Sequence, residues 1–312
     1  MNFLKIKFLL KIYYLRHKEI DKKKWDACID KAANGLIYPY SFYLDAMSEN
    51  WDALVADDYE KVMPLTWKKK YSIFYLYQPR FTASLGVFGD NISAQTVNLF
   101  LENIPRKFRY WDFYLNKSNL FSIPEFPMYE RYNYILPLSE NYEAIKKRYA
   151  TSHQRNIKRS VQYGNIVKTE VDVEQVIELS KVQSRNFSSL QDKDFSNFKL
   201  IFRYLREKNQ AATYGVYSAQ NKLVASCVFL FSHGRAYYIL VGNHPDGKTS
   251  GASHLLIDAF IRDYSESDTV LDFEGSSVAS LAFFYKNFGS QLEKYPGIKM
   301  NRLPAIAKLF MQ

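Results

Sequence analysis

Apolar and polar positions alternate most clearly in residues 213–242, TYGVYSAQNKLVASCVFLFSHGRAYYILVG. The pattern predicts a strand, a polar turn at Ala219-Gln220-Asn221, a longer apolar strand, a turn at His233-Gly234 and a third strand. A similar hairpin is predicted in WDALVADDYEKVMPLTW, 51–67, where two extended runs flank Asp57-Asp58-Tyr59-Glu60. Helical spacing precedes the later meander: Val173, Val176, Ile177 and Leu179 share one face, and Phe198, Ile201, Phe202 and Leu205 share another. After the meander come a glycine-bearing loop (NHPDGKTSGAS), a helix (HLLIDAFIRDY), a strand (TVLDFEG) and a segment carrying Tyr285 and Lys286. The order of helix, helix, three strands, helix, strand and helix, with the earlier hairpin, predicts one α+β architecture used twice.

Between the two predicted copies lies SENYEAIKKRYATSHQRNIKRSVQYG, 139–164. Ser139 suits an N-cap and Gly164 a helix stop, so this stretch reads as a pair of helices. No acid occurs between Ala144 and Lys168, whereas Lys146, Lys147, Arg148, Arg155, Lys158, Arg159 and Lys168 do. The proline-bearing run from Asn119 to Ser139 is the nearest break in composition. It places a boundary at about residue 137, giving domains 1–137 and 138–312, the second including the basic pair 139–164. A length of 312 residues accommodates two such domains.

Composition changes this picture in a few places. The net charge of +10 favours anionic partners such as nucleic acid, phosphorylated substrates or an acidic membrane surface. Cys28 and Cys227 are too few and too far apart for a disulfide framework or a thiolate metal site, and the five histidines (17, 153, 233, 244 and 254) lack ligand spacing. No metal is expected. Neither a nucleophile elbow nor a P-loop occurs. Lys5, Lys7 and Lys11 interrupt the apolar residues at the start, which therefore read as the lead into a strand, with a peripheral membrane contact as the alternative. The expected location is cytoplasmic, at the inner face of the membrane where such a contact exists.

Four stretches carry a resemblance: WDALVADDYEKVMPLTWKKKY, HQRNIKRSVQYG, LDFEGS and FFYKNFG. With the element order, they resemble the FemAB group of the GNAT acyltransferase superfamily. The resemblance implies an α/β (α+β) fold of two tandem GNAT-like domains, each a mixed, mostly antiparallel sheet flanked by helices. It further implies acyl transfer to an amine. FemAB-type enzymes take an aminoacyl group from charged tRNA to a peptidoglycan precursor, and other members of the wider group use acyl-CoA. The donor is therefore expected to be acyl-CoA or aminoacyl-tRNA, with no tightly bound cofactor. The partner is expected to be an anionic small molecule or lipid-linked precursor carrying an amine, with tRNA as a further candidate.

Each candidate residue has two readings. Lys248, Ser250, Gly251, Ala252 and Ser253 occupy the place of the superfamily's pyrophosphate loop, where helix N–H groups and small residues receive an anion; they equally suit an ordinary loop and cap. Strand alternation puts Asp272 and Glu274 on the same face at a strand end, fit to hold or deprotonate an amine; the other reading is that one of them caps the following segment or pairs with Arg or Lys. Tyr285 and Lys286 could donate a proton to the leaving group and neutralise charge on the donor, or Tyr285 simply packs beside Phe283 and Phe284. Arg155, Lys158 and Arg159, with Tyr238, are the substrate-binding candidates, the cations meeting phosphates without sequence readout; the alternative is a solvated helical arm. Three functions compete: FemAB-like transfer to a cell-wall or surface-glycan amine, acyl-CoA-dependent N-acylation of an amino sugar, and a catalytically silent member that binds RNA or another anion.

Overall fold

The computed structural model describes residues 10–184, 190–275 and 278–304. They divide into two compact units, one made of the described residues up to Glu130 with those from Tyr295, the other of Arg131–Lys294.

The first unit runs β1 (Ile12–Leu15), α1 (Lys22–Lys31), α2 (Ser41–Met47), β2 (Trp51–Ala56), β3 (Lys61–Lys70), β4 (Ile73–Tyr77), a two-residue β5 (Phe88–Gly89), α3 (Ala94–Glu102) and β6 (Phe108–Tyr114). β1, β2, β3 and β4 pair antiparallel in that order, and β4 lies parallel to β6. The predicted hairpin is β2–β3, with Trp51 opposite Thr66 and Ala56 opposite Lys61. Its turn uses positive φ at Asp57, a residue type that tolerates the left-handed region. α1 begins where the Asp21 carboxylate accepts from the N–H groups of Lys23 and Lys24, and it buries Trp25 and Ile29. Leu54, Met63, Leu76, Phe100 and Trp111 are among the buried side chains between sheet and helix.

The chain continues with β7 (Met128–Pro137), α4 (Tyr142–Lys147), α5 (Thr151–Gln162), β8 (Ile166–Thr169), α6 (Val173–Ser184), α7 (Asp192–Glu207), β9 (Ala211–Tyr217), β10 (Leu223–Ser232), β11 (Arg235–Asn243), α8 (Pro245–Ser250), α9 (Ala252–Tyr264), β12 (Val270–Asp272), α10 (Ala279–Lys286) and β13 (Gln291–Asn301), the second unit taking the residues from Arg131 to Lys294 and the first unit those of β13 from Tyr295. β8, β9, β10 and β11 pair antiparallel, and β11 lies parallel to β12. Val228 faces Leu240 while Phe229 faces Tyr238, so Ile239 is the extra residue of a bulge in β11. The core holds Phe229 stacked on Phe260 at 3.7 Å, with Leu256, Ile257 and Ile261 of α9 beside it. Each such side chain contributes about 1.5–3 kcal/mol by leaving water.

The architecture used twice is present: strand, two helices, three strands, helix and a parallel strand occur in both units. The last strand of each sheet comes from elsewhere in the chain. Gly297–Asn301 of β13 pairs with β6, and Ile135–Pro137 of β7 pairs with β12. The division thus differs from a simple cut near 137, because edge pairing between remote segments leaves no local signal. Two smaller differences concern caps. Asn141 rather than Ser139 caps α4, its side chain accepting from the Ala144 N–H at 2.9 Å. The expected loop at 245–250 is the short helix α8, started by His244 as N-cap and Pro245 in the first turn.

Candidate functional site

β12 delivers Asp272 to an ion network. Asp272 is 4% exposed; its Oδ2 accepts from Arg235 Nη1 at 2.6 Å, and its Oδ1 from Asn133 Nδ2 and from the Glu274 N–H, each at 2.8 Å. Arg235 also donates to Glu293 from both terminal nitrogens, at 3.1 and 2.8 Å. Burial works against the guanidinium's charge, yet Asp272 and Glu293 outweigh it and raise its pKa. Both oxygens of Asp272 are engaged in holding this corner. Alternation stops there: Glu274 takes φ +62, so it does not share a pleated face with Asp272.

Tyr238, Phe273 and Tyr285 do come together. Tyr285 stacks on Phe273 at 4.5 Å and stands edge-on to Tyr238 at 6.4 Å. Both phenols are buried, which raises their pKa, and the Glu274 charge adds to the rise at Tyr285. They therefore stay protonated at neutral pH. Phe283, expected to pack beside Tyr285, is 66% exposed instead. Lys286, one residue on, is exposed and forms no ion pair among the described residues. The end of its helix is fastened to the start of α5: His153 Nε2 donates to the Phe284 carbonyl and the Ala150 N–H to the Asn287 carbonyl, both at 2.9 Å.

The middle of α5 covers the α8–α9 junction. Gly251 adopts φ +78, and a Cβ there would lie 2.6 Å from the Asn156 carbonyl oxygen, so only glycine permits this approach. Ser250, Gly251 and Ala252 are buried. The Ser250 hydroxyl accepts from Asn165 Nδ2 at 3.0 Å, and the Ser253 hydroxyl donates to Asn243 Oδ1. Lys248 is exposed. Along the outer face of α5 stand Arg155, Lys158 and Arg159, all exposed and without ion pairs among the described residues. His153, Ile157 and Ser160 form its buried face.

No family model matches the sequence, and no curated protein matches it. Among solved structures the chain is similar to FemX, with a TM-score of 0.66 at 14% identity over 96% of this chain and 100% of that one. The chain has the FemX fold. It is also similar to the C-terminal domain of a protein from Agrobacterium fabrum designated a lysylphosphatidylglycerol synthetase, with a TM-score of 0.57 at 10% identity over 93% of this chain and 94% of that one. L-PGS from Bacillus licheniformis gives a TM-score of 0.54 at 12% identity over the same shares. The FemAB-like fold expected from the sequence is thus the fold observed.

Within the FemX fold this chain brings Tyr238, Glu274 and Tyr285 together, and Lys286 follows Tyr285 as the exposed last residue of α10. Asp272 is tied up next to them, one oxygen on Arg235 and the other on Asn133 and the Glu274 N–H. Sequence reasoning missed Arg235, Asn133, Asn156 and the histidines 153 and 254. Of these only His153 left a signal, since it shares helical spacing with Ile157 and Ser160, the buried face of α5. Among the described residues no group of three or more His, Cys, Asp or Glu could hold a metal ion, and no helix is long and apolar enough to cross a membrane.

Proposed function

We propose that this protein transfers an aminoacyl group from an ester donor, such as aminoacyl-tRNA, to the amine of a cell-wall or lipid-linked precursor. The observation that carries the choice of donor is the burial of Ser250, Gly251 and Ala252 beneath α5. A CoA pyrophosphate needs exposed helix N–H groups and room for close approach, and here a carbonyl of α5 fills that room. The designation of one structural neighbour, a lysylphosphatidylglycerol synthetase, is in keeping with an aminoacyl group and a lipid acceptor.

In this reading the acceptor ammonium loses its proton to Glu274 and the freed nitrogen attacks the ester carbonyl. The Tyr238 and Tyr285 hydroxyls donate to the resulting oxyanion, where preorganised donors in a dry environment are most effective. The donor's ribose oxygen then leaves with the proton that Glu274 took up, and the nitrogen's second proton passes to the regenerated Glu274 carboxylate and from there to solvent. Lys286 neutralises the donor's nearby phosphate. Thermal shift with acetyl-CoA, with uncharged tRNA and with aminoacyl-tRNA tests the donor. Aminoacyl-tRNA should raise the melting temperature in a salt-sensitive way and acetyl-CoA should leave it unchanged. A rise with acetyl-CoA alone would reverse the choice.

A further inference from the structure

The turn joining α5 to β8 exposes an apolar cluster that the transfer chemistry does not use. Val161, Tyr163 and Ile166 are 58%, 57% and 54% exposed, although they fall within one tight turn. That turn is firmly held. The Tyr163 N–H donates to the Arg159 carbonyl at 3.0 Å, Gly164 N–H to Val161 at 2.9 Å, and Asn165 N–H to Ser160 at 3.2 Å. Gly164 takes φ +74, a conformation suited to glycine. Asn165, buried, donates from Nδ2 to the hydroxyls of Ser160 at 2.9 Å and Ser250 at 3.0 Å. Pinning Asn165 inward leaves its three apolar neighbours facing water.

The surroundings are cationic. From Ala144 to Lys168 the chain has no acid, and Lys147, Arg155, Lys158 and Arg159 are exposed without ion pairs among the described residues. The adjoining β9–β10 turn, whose Ala219 Cβ lies 3.2 Å from where a Gly164 Cβ would sit, also lacks acids; Asp246 beyond it is paired with Lys222 at 3.0 Å.

We propose that this turn and the outer face of α5 dock on an anionic bilayer. Val161, Tyr163 and Ile166 enter the boundary between headgroups and acyl chains, and the cations of α5 lie over lipid phosphates. Peripheral attachment needs both an apolar insertion and a basic patch, and both occur here within one segment. Tyrosine suits that boundary because its ring is apolar and its hydroxyl polar. Three side chains offer far less than the roughly 1,200 Å² of a stable protein interface. An RNA would satisfy the cations but leave Val161 and Ile166 in water. The proposal does not depend on the transfer reaction.

The test is co-sedimentation of the full chain with phosphatidylcholine vesicles, with and without phosphatidylglycerol, at low and high salt. Binding should require phosphatidylglycerol and weaken with salt. The triple variant Val161→Ser, Tyr163→Ser, Ile166→Ser should lose about tenfold in affinity for anionic vesicles. Arg155→Gln with Lys158→Gln and Arg159→Gln should lose at least as much. Tyr163→Ser alone, at an exposed position, should lose two- to threefold and guards against misfolding of the triple variant. Absence of vesicle binding overturns the proposal, as does binding that ignores the serine substitutions. Salt-sensitive binding to RNA in place of vesicles overturns it in favour of a nucleic-acid surface.

Discussion

Lowering the pH should loosen the second unit through two buried imidazoles. His153 and His254 meet edge to face at 4.5 Å between α5 and α9. His254 Nε2 accepts from Asn156 Nδ2 at 3.0 Å, so its proton sits on Nδ1, whereas His153 carries its proton on Nε2, facing the Phe284 carbonyl. The remaining ring nitrogen of each is buried with no partner. Burial pushes the His254 pKa from 6.5 down to about 3, with His153 and Arg159 adding to the fall, and burial lowers that of His153 as well. In the folded state these rings bind fewer protons than in the unfolded chain, so their neutrality is compatible with full stability above about pH 6.5. Stability is then lost as pH falls from 6.5 toward 3.

Each unit of pH in that window costs about 1.4 kcal/mol per fully shifted histidine. Between pH 6.5 and pH 5 His254 alone should therefore cost about 1–2 kcal/mol after allowance for its partial exposure. The assay is urea unfolding of the parent and of His254→Leu at pH 7 and pH 5. The parent should lose about 1–2 kcal/mol more than the variant, because carboxylates titrate equally in both. Equal losses in parent and variant would mean that the imidazole is not charged on unfolding, and the reasoning fails.

Gly251→Ala should cost about 2–4 kcal/mol, since it strains a positive φ and drives a Cβ into the Asn156 carbonyl; a drop in melting temperature checks it. Arg235→Met should cost about 3–5 kcal/mol by leaving Asp272 buried without its cation, and Arg235→Met with Asp272→Leu should recover much of that in urea unfolding. Tyr285→Phe keeps the stack on Phe273 and removes only a donor, so transfer should fall about 10- to 100-fold while the melting temperature stays within a degree or two. Lys286→Ala, at an exposed position, should likewise lower transfer by at least about tenfold without a change in stability.

What could be read from the chain follows from how local each interaction is. The meander β9–β11 was legible because alternation and turn residues are neighbours in sequence, and α6 and α7 because their buried residues recur at helical spacing. Asp272 was legible as a charged strand end with pairing to a cation as one of its two readings, but its partner was not, because Arg235 lies 37 residues away and Glu293 enters from another strand. Alternation carried past Asp272 misplaced Glu274, since no pattern announces the positive φ that follows. The small residues of the α8–α9 junction were correctly seen as allowing close approach. Sequence could not say that the approaching group is the carbonyl of Asn156 and not a ligand's phosphate.

The exchange of final strands has a consequence for biosynthesis. The first unit's sheet ends on pairs between Tyr110–Tyr114 and Gly297–Asn301, roughly 180 residues apart. At about 5–20 residues per second, β6 waits on the order of ten seconds or more for its partner after it has been made. During that interval β6 presents an open edge carrying Trp111 and Phe113, the kind of surface that recruits chaperones or pairs wrongly. The second unit faces no such delay, because β7 is synthesised before the strand it completes. Folding on the ribosome is therefore expected to close the later half first and the earlier half last.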